Sequence, residues 1–445
     1  MTFASILKSD VIMDNEHILF SVLIQLLVII AFARIFAVLF RRLGQPAVVG
    51  EIAGGLVLGP SVFQPIMHWF DMPWLWQQWH TIVHDASPVF LIMKEIGLVF
   101  LLFLVGLEFD FLHLQRIGKA AAFISLSGIL LPFLLGAGLA PVIHHTLQLH
   151  VDPTGFWLFL GTATSITALP ILGRMMIELN MTRTRIGVVT ITAAAVDDAS
   201  AWIILATVAG AVRVGFDFWL TLRMLLMTVG FFVIMYFIVR PGLKKWLLWY
   251  FQKTNDRLEI NGMATLLFLL FAAALATYLI GIFAIFGAFI LGAILSDEPR
   301  LREQFAGSIS MFVGAFFLPI FFTFTGMRTE IGSIHGVVAW TFAGLILLVA
   351  TLGKWGGCAL AARWSGFSWR ESLCIGILMN TRALMELIVI NVGFELGVIE
   401  KSVFTMLVMM AFITTMMTTP ILLWLKRGTE IEPWINSSTF MNNSK

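Results

Sequence analysis

Apolar stretches of roughly 18 to 25 residues recur along almost the whole chain, separated by short polar loops. Of the 445 residues, 59% are hydrophobic and 12% are charged, whereas about 25% of the residues in soluble domains are charged. A helix of about 20 apolar residues crosses the hydrocarbon core of a bilayer and satisfies its own backbone hydrogen bonds there. The sequence therefore predicts an all-α polytopic membrane protein surrounded by lipids. Its net charge of +2 does not indicate a nucleic-acid partner.

We predict about thirteen transmembrane segments from these stretches, two of them short for a complete span. They lie near 17–40, 46–61, 88–111, 119–143, 155–180, 185–212, 218–239, 260–281, 283–296, 307–330, 335–362, 369–397 and 402–425. Residues 1–430 are predicted to form the transmembrane domain, and 431–445 a short tail. We expect no cleaved signal peptide, because the first long apolar run is itself a span.

Basic residues follow every second predicted segment. The loops after odd-numbered segments carry most of the Lys and Arg residues, and the alternate loops carry almost none, apart from Arg213 and Lys401. Loops rich in Lys and Arg stay in the cytoplasm. We therefore expect the N-terminus outside and the C-terminus in the cytoplasm, in a cell inner (plasma) membrane.

The two halves of the chain resemble each other. Residues 47–55 (AVVGEIAGG) echo residues 284–292 (AIFGAFILG), and 100–109 echo 317–330 in the same order. The first repeat, the linker helix and the second repeat are predicted at about 17–212, 218–239 and 260–425. Six segments, one linker helix and six more segments give the repeats opposite orientations in the membrane. Inverted repeats are typical of secondary transporters, whose binding sites lie at the repeat interface.

Two adjacent carboxylates, Asp197 and Asp198, lie within an apolar run of more than twenty residues. Ionisable residues at bilayer depth are costly and usually mark an ion or proton path. Neighbours on a helix point about 100° apart, so one carboxylate can face a buried partner while the other faces a cavity. We predict that both bind the transported ions, a monovalent cation and protons.

Two segments carry signs of an interrupted helix. The fifth has a hydroxyl-rich stretch that ends at Pro170, whose ring removes a backbone N–H donor, and the twelfth has polar residues at the matching depth. Two discontinuous helices that cross near the midplane would bring their dipole ends beside the aspartates. Kinks with no part in transport are the alternative interpretation. The predicted lining residues are Thr162, Thr164, Ser165, Thr167, Asn380 and Thr381, with Arg382 and Glu386 as compensating charges.

Arg328 and Lys354 are two further basic residues within predicted spans. A buried arginine needs a counter-ion, and the repeat geometry offers Asp197 or Asp198. Because arginine keeps its proton, it could neutralise one carboxylate but could not carry a proton itself. Lys354 is a second candidate for charge compensation, with snorkelling to the interface as its alternative.

The sequence does not indicate a cofactor. Cys358 and Cys374 lack the spacing of a zinc site or a disulfide framework. The tryptophans and histidines of 62–88 favour an aromatic belt over a short interfacial helix, rather than a metal site. The expected ligands are the transported Na⁺ or K⁺ and protons.

Five stretches together resemble the monovalent cation:proton antiporter family, in particular its CHX-like bacterial members. The stretches are GEIAGGLVLGP at 50–60, FLVGLE at 103–108, the pair Asp197-Asp198, LPIFF at 318–322 with GMRT at 326–329, and MNTRALMELIV at 379–389. The chain departs from the family pattern at Ala383, where relatives have glycine. It also ends soon after its last span, so the cytosolic domain of many relatives is expected to be absent.

The resemblance implies a sodium/proton antiporter fold, a homodimer and a core domain that moves like an elevator. It implies that Asp198 accepts the cation or the proton, while Asp197 pairs with the basic residue of the tenth segment, here Arg328. Members with two acidic residues at this place exchange more protons than cations, which makes exchange electrogenic.

We therefore predict a secondary transporter, not an enzyme, in which cation and protons compete for one site. A cation channel or efflux pore on the same scaffold is one alternative, and a sodium-coupled symporter of related fold is another. An intramembrane aspartyl protease is disfavoured, because its two carboxylates come from different helices.

Overall fold

The computed structural model describes residues 3–108, 118–213, 218–382 and 384–437. All regular secondary structure in these ranges is helical, which confirms the predicted all-α class. The departure from the family pattern at Ala383, and residues 438–445 of the predicted tail, lie outside the described residues.

The described residues of the first half of the chain form eight α-helices, and several of these are separated from the next helix by a break of only a few residues. They are α1 (Phe3–Arg42), α2 (Ala47–Leu58), α3 (Phe63–Trp69), α4 (Pro73–Glu108), α5 (Lys119–Thr146), α6 (Pro153–Ser165), α7 (Leu169–Glu178) and α8 (Arg185–Arg213).

The second half begins with the linker, and its described residues contain three π-helical turns, at Met235–Val239, Val313–Phe317 and Leu352–Gly356. Such turns insert one residue into a helix and are frequent at functional sites. The α-helices are α9 (Phe218–Ile234), α10 (Arg240–Lys253), α11 (Ile260–Ile280), α12 (Ala284–Leu295), α13 (Pro299–Phe312), α14 (Leu318–Arg328), α15 (Gly336–Thr351), α16 (Gly357–Trp364), α17 (Trp369–Met379), α18 (Leu384–Glu395), α19 (Lys401–Leu425) and α20 (Glu432–Asn436).

Within the described residues, nine helical segments are long and apolar enough to cross a membrane, and the number rises to eleven if two bent helix pairs each count as one span. The bent pairs are α2 with α3, at 46°, and α17 with α18, at 44°. The chain is therefore a multi-pass membrane protein. The count of about thirteen spans stays a prediction, because it also needs the short apolar helix α12 and the interrupted pair α6 and α7.

The segment at 62–88 contains the short helix α3 and the beginning of α4. From Pro73, α4 continues without a break to Glu108 and passes through Pro88. A proline within a helix removes only one backbone hydrogen bond, and here the helix continues across it. The part of α4 that is long and apolar enough to cross a membrane is Ser87–Leu107, so the interfacial position of 62–88 stays a prediction.

The two predicted repeats pack crosswise through matched glycines. A Cβ atom on Gly55 of α2 would lie 2.9 Å from the Cα of Gly326 on α14, and one on Gly106 of α4 would lie 3.0 Å from the Cα of Gly292 on α12. Gly55 and Gly292 occupy the same position in the first sequence echo, and Gly106 and Gly326 occupy the same position in the second. The reciprocal contacts are those expected of two related repeats, and only glycine allows backbones to approach so closely.

Candidate ion-binding site

The two helix breaks lie against each other. One break separates α6 from α7 at residues 166–168, and the other separates α17 from α18 after Met379. The backbone N–H of Ala168 donates to the carbonyl of Thr381 at 3.0 Å. The Thr167 hydroxyl lies 2.9 Å from the carbonyl oxygen of Met379. Each unwound segment therefore supplies hydrogen-bond partners for backbone groups of the other, and such partners make broken helices stable inside a membrane protein.

Most hydroxyls of the first break bind backbone rather than the aspartates. Thr162 donates to the Leu158 carbonyl at 2.6 Å, and Ser165 donates to the Thr162 carbonyl at 2.8 Å. Thr164 has three carbonyls within reach, the shortest contact being 2.9 Å to Pro132. Of the four predicted hydroxyls, only that of Thr167 reaches a carboxylate.

Asp197 is fully satisfied by three neighbours from three different segments. Its Oδ1 accepts a hydrogen bond of 2.6 Å from Ser125 on α5. Its Oδ2 lies 2.9 Å from the Thr167 hydroxyl and forms an ion pair with Lys354, with both side chains fully buried. The Lys354 ammonium also donates to the carbonyl of Ser165 at 2.5 Å. A buried charge with this many partners is neutralised in place.

The expected pairing of Asp197 with Arg328 is wrong. Arg328 is the last residue of α14, and its guanidinium lies over the ring of Phe394, 4.9 Å from the ring centroid. Its Nη1 is buried and has no hydrogen-bond partner. Lys354, the second candidate, pairs with Asp197 instead; it lies in the π-helical turn at Leu352–Gly356, where its side chain is buried. Snorkelling of Lys354 is excluded as well, since the residue is 0% exposed.

Arg382 holds the carbonyl end of α6. Its guanidinium donates to the carbonyls of Ala163 at 2.9 Å and Thr164 at 2.6 Å. It also donates to the Ala350 carbonyl at 3.1 Å and to Glu386 Oε2 at 3.0 Å. The carbonyl end of a helix carries partial negative charge, and a buried cation there compensates it. The structure thus brings Arg382 and Glu386 to the crossing of the two breaks.

Asp198, unlike Asp197, has an oxygen atom without a hydrogen-bond partner. It is 2% exposed, and its Oδ1 has no hydrogen-bond partner. Buried polar atoms without partners are rare in native proteins, and each requires an explanation. Several others occur at the second break or in the first turn of α18 after it, namely both amide atoms of Asn380, the Thr381 hydroxyl and Glu386 Oε1. Asp198, Asn380 and Thr381 therefore each carry a buried oxygen atom without a protein partner, and oxygen atoms are the ligands that hard cations prefer.

The sequence interpretation missed two polar contacts. Ser125 lies two residues before Ser127 in the apolar helix α5, and nothing in the sequence distinguishes one serine from the other. Lys94, in contrast, stands inside the predicted third span, which was an available signal. Lys94 is 1% exposed, and its ammonium lies 2.5 Å from Glu395 Oε1 at the end of α18. In the described part of the chain, no group of three or more His, Cys, Asp or Glu residues could hold a metal ion.

The fold and sequence match known proteins. The family model described as "Sodium/hydrogen exchanger, transmembrane" matches residues 27–425. The Na(+)/H(+) antiporter NhaS4 of Synechocystis is 36% identical over 92% of this chain and 98% of its own length. Cation/H(+) antiporter 20 of Arabidopsis thaliana is 38% identical over 89% of this chain and 47% of its own length. The chain thus spans about half the length of the plant relatives that it matches.

A solved structure shares the fold. The sodium proton antiporter MjNhaP1 of Methanocaldococcus jannaschii superposes with a TM-score of 0.64 at 17% identity, over 95% of this chain and 99% of its own. This likeness confirms the predicted sodium/proton antiporter fold. Together with the match along residues 27–425, it confirms the family that the sequence motifs suggested. The chain belongs to the sodium/hydrogen exchanger family of monovalent cation:proton antiporters.

Proposed function

We propose that this protein exchanges a monovalent cation, Na⁺ or K⁺, for protons by alternating access, as a secondary active transporter. One observation carries the proposal: Asp198 is a buried carboxyl group with an unpartnered oxygen, next to a second carboxylate whose charge is already balanced by Lys354. Such a group can bind a cation or a proton, but not both at once. The names of the relatives, which include Na⁺/H⁺, K⁺/H⁺ and cation/H⁺ antiporters, agree with this chemistry.

Asp197 and Lys354 supply the second half of the proposed mechanism. Lysine, unlike arginine, can lose its proton when it is buried. A cation that enters beside Asp198 adds positive charge near the Asp197–Lys354 pair and favours release of a proton from the lysine. One proton from Asp198 and one from Lys354 would then leave for each cation that binds. Exchange on this scheme is electrogenic.

The remaining expectations complete the proposal. We place the protein in a cell inner (plasma) membrane, with the N-terminus outside and the C-terminus in the cytoplasm, on the distribution of basic loops. The family resemblance suggests a homodimer. Neither ATP nor a bound cofactor enters the cycle, because one shared site couples the two fluxes.

Reconstituted protein tests the proposal. Purified protein in proteoliposomes, loaded with a pH-sensitive dye, is challenged with Na⁺, K⁺ and Li⁺ in turn, with and without an imposed voltage. Wild type should show saturable, cation-dependent proton flux, and Asp198→Asn should abolish it. Asp297→Asn is the matched control, because it makes the same chemical change in a loop outside the site, and it should retain the flux.

Three outcomes would contradict the proposal. Retained exchange in Asp198→Asn would reject the site. Unitary currents without saturable exchange would indicate a channel. Cation uptake that depends on a co-transported solute would indicate a symporter. Proton flux that does not respond to voltage would reject the electrogenic scheme alone.

A further inference from the structure

Trp202 lies one helical turn after Asp198 and shares its face of α8. The residue is 4% exposed, and its indole nitrogen is buried with no hydrogen-bond partner. A buried indole N–H normally finds an acceptor, because it is a donor and nothing else. The mechanism described above gives this group no task, so its lack of a partner needs an explanation.

The natural acceptor for this donor is the Asp198 carboxyl group. The two side chains are four residues apart on one helix, a spacing that brings side chains together. Neither the indole nitrogen of Trp202 nor Oδ1 of Asp198 has a hydrogen-bond partner. A donor and an acceptor that are both buried and both unpartnered therefore lie one helical turn apart on the same face of α8.

The indole ring is held in place by the other repeat. Phe286 of α12 meets it edge-to-face, with ring centroids 5.7 Å apart and an angle of 87°. Phe289 of the same helix stacks on it, with centroids 5.8 Å apart and an angle of 29°. Aromatic pairs of this kind favour defined ring orientations. The N–H group is therefore fixed beside Asp198 by contacts that do not involve the ion.

We propose that Trp202 is a positioning residue for ion exchange: its indole N–H binds the empty, ionised carboxylate of Asp198 and gives way when a cation or a proton binds there. This inference rests on the function proposed for Asp198. An N–H group cannot act as a ligand to a cation, and a cation or proton on the carboxylate weakens the hydrogen bond that the carboxylate accepts, so the indole and the ion compete for its negative charge. Trp202 thereby weakens the binding of both ions, which allows both to leave the site.

Other charges do not account for the same effect. Among the described residues, Asp197 is the charged group adjacent to Asp198 on the same helix. Lys354 of the π-helical turn is engaged with Asp197, while Arg382 and Glu386 bind each other beside the second break. The indole N–H is thus the donor best placed to stabilise the ionised, empty carboxylate.

Two variants separate the N–H group from the ring. Trp202→Phe keeps an aromatic ring for Phe286 and Phe289 but removes the donor, and Trp202→Leu removes both. The apparent KM for Na⁺ or K⁺, whichever wild type exchanges, is measured in proteoliposomes from acid to alkaline pH. In Trp202→Phe at alkaline pH, KM should fall about tenfold, the size of one hydrogen bond to a charged group. At acid pH the KM should stay unchanged, because the affinities of Asp198 for the proton and for the cation rise by the same factor.

The pH profile gives a second readout. The pH of half-maximal exchange in Trp202→Phe should rise by about one unit, since the competing proton also binds more tightly. Trp202→Leu should show the same shift together with lower thermal stability. A wild-type KM and profile in Trp202→Phe, or a KM that rises equally at every pH, would overturn the inference, because a residue that only packs produces one of those results.

A spectroscopic measurement keeps this inference separate from the proposed function. In protein labelled with ¹⁵N-tryptophan, the indole signal of Trp202 is assigned by its absence in Trp202→Phe. It should move on titration with Na⁺, K⁺ or acid in wild type and stay still in Asp198→Asn. A signal that ignores all three titrations in wild type refutes the role of Trp202, even where exchange is intact. Absence of cation-dependent proton flux in wild type refutes the proposed function itself, whatever the indole does.

Discussion

The two faces of helix α8 treat a buried carboxylate in different ways. On one face, Asp197 meets Ser125, Thr167 and Lys354 and is neutralised where it lies. On the other face, Asp198 has an unpartnered oxygen and lies beside Trp202, which packs on α12 of the second repeat. The two residues are adjacent in sequence, and the rotation of about 100° per residue is enough to separate their surroundings. The carboxylate on one face contributes to the stability of the fold, and the carboxylate on the other face has an oxygen atom that an ion can bind.

This comparison predicts the largest loss of stability for the satisfied face. Lys354→Met leaves Asp197 buried without its counter-ion and should cost about 3 to 5 kcal/mol, as when other buried pairs lose one partner. The apparent Tm in detergent should fall accordingly. The double variant Asp197→Asn with Lys354→Met removes both charges and should recover much of the loss. A double variant no more stable than Lys354→Met would show that the pair does not act as a unit.

Ser125 also contacts Asp197, and its loss should reduce the stability less than the loss of Lys354. Ser125→Ala removes the hydrogen bond to Asp197 Oδ1 and should lower stability by about 1.5 to 3 kcal/mol, the value for a bond to a charged group. Ser127→Ala, two residues along the same helix, is the control and should change the Tm little. An unchanged Tm in Ser125→Ala would mean that Thr167 and Lys354 suffice to hold the carboxylate.

On the face of α8 that carries Asp198, we expect loss of the carboxylate to change the stability in the opposite direction. Asp198→Asn replaces a buried charge that has no counter-ion among the described residues, and at most the indole N–H of Trp202 as a donor, by a neutral amide. It should raise the stability by about 1 to 2 kcal/mol at alkaline pH, while it abolishes exchange. Asp197→Asn, the same chemical change one residue away, should lower stability. The contrast is read from the two Tm values at one pH. A fall in Tm for Asp198→Asn as large as that for Asp197→Asn would remove the distinction between the two faces.

The sequence revealed the members of this site better than their partners. Asp197, Asp198, Arg382 and Glu386 stand out because a charge is rare in an apolar run. The breaks at Pro170 and Asn380 and the glycines of the repeats follow from backbone chemistry, so the fold was predictable in outline. These signals do not depend on the way that the helices pack.

The choice between Lys354 and Arg328 could not be made in this way. Both are single basic residues within apolar segments, and the one that pairs with Asp197 lies in a π-helical turn, an irregularity that the helical period of the sequence does not predict. The polar contact of Ser125 was hidden for a related reason, since a lone hydroxyl in a helix usually binds its own backbone. These contacts depend on how distant segments pack, and the local sequence pattern does not predict that packing.

An ion pair outside the spans gives the reference for both faces. Asp297, between α12 and α13, pairs with Arg240 and accepts a hydrogen bond of 3.0 Å from Lys244, both on α10. Partial burial opposes ionisation of Asp297, but the hydrogen bonds from Lys244 and Arg240 outweigh it and hold the pKa of the carboxyl group below its ordinary value. A folded-state pKa lower than the unfolded one stabilises the protein above the unfolded value, and this stabilisation is lost as the pH falls through the folded value.

Asp297→Asn should therefore produce the smallest effect. At pH 7 it should cost at most about 1 kcal/mol, because water reaches the pair. The difference from wild type should shrink as the pH falls below about 4, where the carboxyl group of wild type is also protonated. Thermal melts of both proteins in detergent from pH 7 to pH 3 check the trend. A loss of stability in Asp297→Asn as large as that in Lys354→Met would contradict this expectation. It would mean that a partly exposed ion pair contributes as much stability as the buried pair of Asp197 and Lys354.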